Sequence, residues 1–137
     1  MSTNEKSALT RPLDGCFVLV VEDNDDARTL YQTLLAMSGA HVTAVPSVAE
    51  AMAAFDRSRP DVVVSDVDMP EEDGYALIAR VRALSPEEGG TVPAIAVTGH
   101  GLEQDRERLL SAGFDDYLPK PVDATDLVDT IVRLVRR

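Results

Sequence analysis

Five short runs rich in β-branched and apolar residues alternate with five longer stretches of helical period, and this alternation constrains the fold more than any other feature of the chain. The runs are Phe17–Val21, His41–Val45, Asp61–Ser65, Ala94–Thr98 and Asp115–Leu118. The stretches Asp25–Met37, Val48–Arg57, Tyr75–Leu84, Leu102–Ala112 and Ala124–Val135 carry apolar residues three and four apart, as in Leu30, Leu34 and Met37. Gly39 and Gly113 sit where the first and fourth helices should stop, and Ser47, Asp123 and the Pro70–Gly74 turn stand where helices should start. The first and third runs are apolar almost throughout, as parallel strands are when helices cover both faces. The pattern predicts one α/β domain, a doubly wound parallel sheet of five strands and five helices with right-handed crossovers. Ligands of such sheets bind beyond the carboxyl ends of the strands.

A chain of 137 residues, 45% hydrophobic and 27% charged, is large enough for one real core and too apolar for a disordered segment. Thirteen basic against 24 acidic residues leave a net charge of -11, which opposes nucleic acid and anionic membranes and favours cations and basic partners. Cys16 is the one cysteine, so no intrachain disulfide forms; its apolar neighbours make it a small buried hydrophobe in a reducing compartment. Residues 1–14 read as a loose polar leader before a domain over 15–137. No segment approaches the roughly 20 apolar residues of a membrane span, so a cytoplasmic location is expected.

The residues that close the strands carry the chemistry. Glu22 and Asp23 follow the first run, Asp66 the third, Thr98 the fourth and Lys120 the fifth, all on one edge of the sheet if the topology holds. Unit charges 4 Å apart repel by about 4 kcal/mol at an effective dielectric of 20, so three converging carboxylates call for a cation. Oxygen-only ligands suit Mg²⁺, which binds one or two carboxylates together with phosphate oxygens. Lys120 then balances phosphate charge, the Thr98 hydroxyl donates to a phosphoryl oxygen, and a central carboxylate is placed to attack phosphorus. Singly, each residue has an ordinary explanation as a helix cap, a turn residue or a solvated lysine. Their joint placement after four strands is what points to a site. In Ser65-Asp66-Val67-Asp68-Met69-Pro70, Pro70 is expected to end the strand with both carboxylates facing that site.

From about Gly15 to Val135 the chain resembles the receiver domain of two-component response regulators, in the pattern of the chemotaxis response regulators. The resemblance implies a flavodoxin-like sheet of order 2-1-3-4-5, an order carried over from that family. Leu19-Val20-Val21-Glu22-Asp23 resembles its first strand with the acidic metal pair, and Asp66 its phosphoacceptor. Asp68 matches the residue whose backbone carbonyl completes the Mg²⁺ shell, and Asp73-Gly74 the acidic-Gly pair of the next loop. Thr98 in Ala96-Val97-Thr98-Gly99 and Tyr117 match the switch pair, and Lys120-Pro121 matches the lysine with its cis peptide bond. Val122 stands where phenylalanine is common, Pro119 stiffens the loop, and Asp68 replaces a frequent asparagine. Asp68 and His100, at the mouth of the site, are expected to tune the lifetime of the phosphoryl group.

The resemblance thus implies a signalling switch rather than an enzyme, one that assists only its own phosphorylation and dephosphorylation. Its donor is a sensor histidine kinase or a histidine phosphotransfer protein. Its output is a downstream protein, or a second copy, bound through the fourth helix, fifth strand and fifth helix, with no nucleic-acid or membrane contact. Nothing follows Arg137, so no output domain is expected; the chain reads either as a stand-alone receiver or as the terminal receiver of a hybrid histidine kinase. Two other readings remain: a haloacid-dehalogenase-like aspartyl phosphatase, suggested by Asp66-Val67-Asp68, and a phosphorylation-independent adaptor of the same fold.

Overall fold

The computed structural model describes residues 11–99 and 103–136. The elements are β1 (Phe17–Val21), α1 (Asp25–Met37), β2 (His41–Val45), α2 (Val48–Arg57), β3 (Val62–Asp66), α3 (Gly74–Arg82), β4 (Ala94–Thr98), α4 (Glu103–Ala112), β5 (Asp116–Pro119) and α5 (Ala124–Val135). All strands are parallel, in the order β2-β1-β3-β4-β5 of a flavodoxin-like fold. Successive strand residues alternate between two dry layers. Leu19, Val21 and Val63 face α2, α3 and α4, where Phe55, Leu77, Ile78 and Leu109 meet them. Val18, Val20, Val62 and Val64 face α1 and α5, against Leu35, Leu127 and Ile131. Both faces being covered is why the central runs lack a polar alternation.

The helix ends follow from local chemistry. Asn24, Ser47, Asp73 and Asp123 each accept a backbone N–H of the first turn of α1, α2, α3 and α5. Gly39 and Gly113 take positive φ (98° and 123°) just past α1 and α4, where a side chain would be strained.

Several boundaries differ from the sequence expectation. Asp61 does not begin β3: its N–H donates to the Phe17 carbonyl and its carboxylate accepts the Phe17 N–H, so it clamps the entry to β1. Asp66 is instead the last ladder residue of β3, opposite Val97. Pro70 therefore does not end the strand; Val67 turns into the core and the Asp68 side chain is exposed. β5 starts at Asp116, opposite Ile95; at Asp115 the N–H still donates to the Ala94 carbonyl, while its carboxylate takes Arg82 and the Ala94 N–H. α3 runs from Gly74 to Arg82, and Leu102, expected to open the fourth helix, lies outside the described residues.

The end of the leader is not loose. Leu13 is 1% exposed in the α1–α5 layer, and its N–H donates to the Ser38 carbonyl. Residues 1–10 lie outside the described residues. Cys16 is half-buried rather than buried; desolvation, then the Asp61 charge, pushes its thiol up to about 11, where it stays protonated.

Candidate functional site

The carboxyl ends of β1, β3, β4 and β5 meet at one edge of the sheet. The ladder continues past them: the Glu22 N–H donates to the Val45 carbonyl at 3.0 Å, and the Lys120 N–H to the Thr98 carbonyl at 2.8 Å. These bonds hold Glu22 and Lys120 against the sheet although both lie outside the strands. Glu22, Asp23 and Asp66 each place a carboxylate oxygen within 4.8 Å of the other two. Glu22, Asp66 and Thr98 are buried, and Asp23 is the most accessible of the acids. Lys120 Nζ lies 3.1 Å from Asp66 Oδ1 and 3.5 Å from Glu22 Oε1. The Asp68 N–H donates to Asp66 Oδ1 at 3.2 Å, and the Asn24 N–H to Glu22 Oε2 at 3.1 Å.

One lysine does not neutralise three acids. Burial pushes the Glu22 carboxyl up to about 7; the charge and hydrogen bonding of Asp66 add to this, against the Asn24 N–H and Lys120. Burial draws Lys120 down, but the hydrogen bond and charge of Asp66, then Glu22, outweigh it and leave its pKa raised. Glu22 Oε1 is buried without a hydrogen-bond partner among the described residues. An orphaned carboxylate oxygen beside two more carboxylates, all hard oxygen donors, fits a hard divalent cation.

The other residues read from the sequence fall around this cluster. The Lys120–Pro121 peptide bond is cis. Tyr117 is half-buried and packs against the α2–α4 layer. Asp68 and Thr98 line a cavity of about 70 Å³ with Tyr75 and Arg108, and the Arg108 guanidinium stacks 4.3 Å from the Tyr75 ring centroid. His100 lies outside the described residues.

Two contributors, Arg28 and Asn24, were missed in the sequence, whereas Gly74 stood there beside Asp73 without its packing role. Arg28 donates to the Glu22 carbonyl from α1. Asn24 both caps α1 and holds Glu22. Gly74 brings the start of α3 so close to β3 that a Cβ would lie 2.8 Å from the Asp66 carbonyl oxygen. The signal for Asn24 was present in Glu22-Asp23-Asn24, an Asx cap behind the acidic pair.

The sequence profile of the response regulator receiver domain matches residues 18–132. The chain belongs to that family. The receiver is similar to the receiver domain of sensor histidine kinase PA1611 from Pseudomonas aeruginosa, with TM-score 0.81 and 36% identity, covering 90% of this chain and 99% of that one. The PA1611 structure holds a magnesium ion in its active-site cleft. A 14.6 kDa protein encoded in the sodA1 3′ region of Leptolyngbya boryana is 48% identical over 111 residues, 81% of this chain and 83% of that protein. Hybrid signal transduction histidine kinase I of Dictyostelium discoideum is 34% identical over 119 residues, 83% of this chain; the match spans only 7% of the kinase. The receiver is thus a signalling module of two-component or phosphorelay systems, the class that pairs with sensor histidine kinases. Among the described residues no helix is long and apolar enough to cross a membrane.

Proposed function

We propose that Asp66 accepts a phosphoryl group from a histidine of a partner kinase or histidine phosphotransfer protein, in a site that holds Mg²⁺ on Glu22, Asp23, Asp66 and the Asp68 backbone carbonyl. The observation that carries this reading is the buried Asp66 carboxylate, 3.1 Å from Lys120 Nζ and inside a cluster whose Glu22 Oε1 has no hydrogen bond among the described residues. A carboxylate oxygen of Asp66 attacks phosphorus; the P–O bond forms as the P–N bond to the donor imidazole breaks, and the imidazole leaves with the electron pair. Bound Mg²⁺ supplies charge neutralisation for the phosphoryl oxygens and a fixed orientation for the transfer. Lys120 offers its cation to the phosphoryl group, and the Thr98 hydroxyl, buried at the end of β4, donates to it.

The readout follows from the added charge. Thr98 shifts toward the phosphoryl group, Tyr117 rotates inward, and the α4–β5–α5 surface changes its affinity for a downstream protein or a second copy. Asp68 and His100 set how long the phosphoryl group survives; Asp68→Asn and His100→Ala are expected to change the dephosphorylation rate, and an unchanged rate in both rejects that role. The setting is the cytoplasm, where a kinase donor and Mg²⁺ are at hand. Family membership sets aside the haloacid-dehalogenase-like reading, in which Asp-x-Asp would follow the first strand instead of β3. The complete acidic cluster and its lysine argue against a phosphorylation-independent adaptor.

The test is incubation with acetyl phosphate and Mg²⁺, read by intact mass. Wild type should gain one phosphoryl group that Asp66→Asn does not. Absence of an Asp66-dependent mass increase, or of beryllofluoride binding, overturns the assignment.

A further inference from the structure

Arg28 is the one cation that reaches the backbone of the acidic pair among the described residues, and it does so from the first turn of the next helix. Helix side chains lean toward the N-terminus, so a long residue on the inner face of α1 returns to the strand end it has just left. One arm of the guanidinium, Nη1, donates to the Glu22 carbonyl at 3.1 Å and lies 3.5 Å from the Asp23 carbonyl. The other arm, Nη2, is anchored 2.6 Å from Asp25 Oδ1. The side chain is 21% exposed, so these contacts are not those of a freely solvated arginine.

The consequence lies in how Glu22 is held. Its N–H is fixed by Val45, its Oε2 by the Asn24 N–H and its carbonyl by Arg28; among the described residues Oε1 is left without a hydrogen bond, 3.5 Å from Lys120 Nζ. Asp23 lies at the corner between that clamped carbonyl and the α1 cap, so the same arginine limits where its carboxylate points.

We propose that Arg28 is a positioning residue of the phosphoryl site: it pins the β1–α1 corner from behind so that the Glu22 and Asp23 carboxylates stay converged on a shared cation. This rests on the reading that the cluster holds Mg²⁺. Charge and position act with opposite sign here. By charge alone, removing a cation beside a cation site tightens Mg²⁺ binding. By position, losing the clamp loosens two ligands and weakens it. Lysine is no substitute, because a point charge lacks the fork that spans a carbonyl and a carboxylate.

The experiment is Mg²⁺ titration by calorimetry of wild type, Arg28→Ala and Arg28→Lys, with far-UV circular dichroism and thermal melting of each. Arg28→Ala should bind Mg²⁺ about 10-fold more weakly, the lower end of what loss of an outer-shell partner costs. Arg28→Lys should also weaken binding, with the circular dichroism spectrum kept. A merely structural role would lower the melting temperature and leave the affinity unchanged. The proposal is overturned if either folded variant binds Mg²⁺ as tightly as wild type, or more tightly; should Arg28→Ala fail to fold, Arg28→Lys decides. A wild-type protein that binds no Mg²⁺ overturns the underlying reading of the site, whereas weakening confined to the variants supports both.

Discussion

Glu22→Gln should make the metal-free receiver more stable, by a margin that opens above pH 4.5 and is complete above pH 7. In the fold this carboxyl is buried, with Oε1 unbonded beside Asp66, and its pKa rises from 4.5 to about 7. A folded pKa above the unfolded one means that the native state binds the extra proton, so stability is highest below pH 4.5 and is lost as pH rises through 7. At about 1.4 kcal/mol for each tenfold change in acidity, the full penalty above pH 7 is on the order of 3 kcal/mol. Glutamine keeps an oxygen for the Asn24 N–H and places an amide N–H toward Asp66, while Lys120 retains its 3.1 Å pair with Asp66. The variant should therefore lead wild type by less than about 1 kcal/mol near pH 5 and by about 2–3 kcal/mol at pH 8, the latter roughly 10 °C in melting temperature for a domain of this size. Urea and thermal unfolding with EDTA, across pH 5 to 8, measure both curves. Parallel curves, or a variant less stable than wild type at pH 8, refute the reasoning. Added Mg²⁺ should invert the order, because it stabilises the form that keeps three carboxylates.

Lys120→Met leaves Asp66 and Glu22 facing each other without their cation. The metal-free variant should lose about 1–3 kcal/mol at pH 8 and gain more from Mg²⁺ than wild type; equal Mg²⁺-induced shifts in melting temperature contradict this. Arg82→Met should cost about 2–4 kcal/mol in urea unfolding, since buried carbonyls and a carboxylate lose their donors. The partners are the Gly90, Val92 and Gly113 carbonyls and Asp115, at 2.7–3.1 Å, and a loss under about 1 kcal/mol would mean that water replaces the guanidinium. Gly74→Ala forces a methyl to within 2.8 Å of the Asp66 carbonyl oxygen and 2.9 Å of Val67 Cα. It should cost about 1–3 kcal/mol as overpacking against backbone and slow acetyl-phosphate labelling of Asp66; wild-type stability and rate together reject the close approach as a constraint.

The architecture was legible because strand cores and helix stripes are burial patterns, and burial is what a sequence displays most directly. Strands β1, β2 and β4 and helices α1, α2 and α5 fall where the periodicity puts them. The misplaced ends share a cause. Asp61 and Asp115 look like strand residues until their carboxylates are seen bonded to Phe17 and to Arg82 and Ala94, and such a choice is made by a partner distant in sequence. Asp66 and Asp68, two apart in an extended segment, were expected on one face. The paired register ends at Asp66, and the alternation is broken with Val67 buried and Asp68 exposed. Arginines were the least legible. Arg28 and Arg82 sit on helices, where an arginine is usually solvated, yet each gathers backbone carbonyls of other segments. Leu13 was hidden for the opposite reason: one apolar residue in a polar stretch carries no period, although it seals the layer between α1 and α5.

On the proposed function, which helix would respond to a phosphoryl charge on Asp66 follows from how each neighbour is anchored. Among the described side chains of α4, Leu109 alone is buried, a contribution of about 1.5–3 kcal/mol. The stacking of Arg108 on Tyr75 adds about 0.5–1 kcal/mol at an exposed site. On α5, Leu127, Ile131 and Leu134 are all buried, roughly 5–9 kcal/mol by the same measure. One or two new hydrogen bonds to a phosphoryl group, about 1.5–3 kcal/mol each, are large enough to reposition the first helix and too small for the second. Thr98 ends β4, the strand from which the chain passes on to α4, so a pull on Thr98, as proposed, would reach the weakly held element first. Hydrogen exchange of the metal-free receiver should therefore show α4 amides opening faster than those of α5. Beryllofluoride with Mg²⁺ should alter protection in α4 while leaving α5 nearly constant. Should α5 exchange as fast as α4, or respond first, packing does not decide which surface moves, and the switch must be sought in the β5–α5 loop around Lys120.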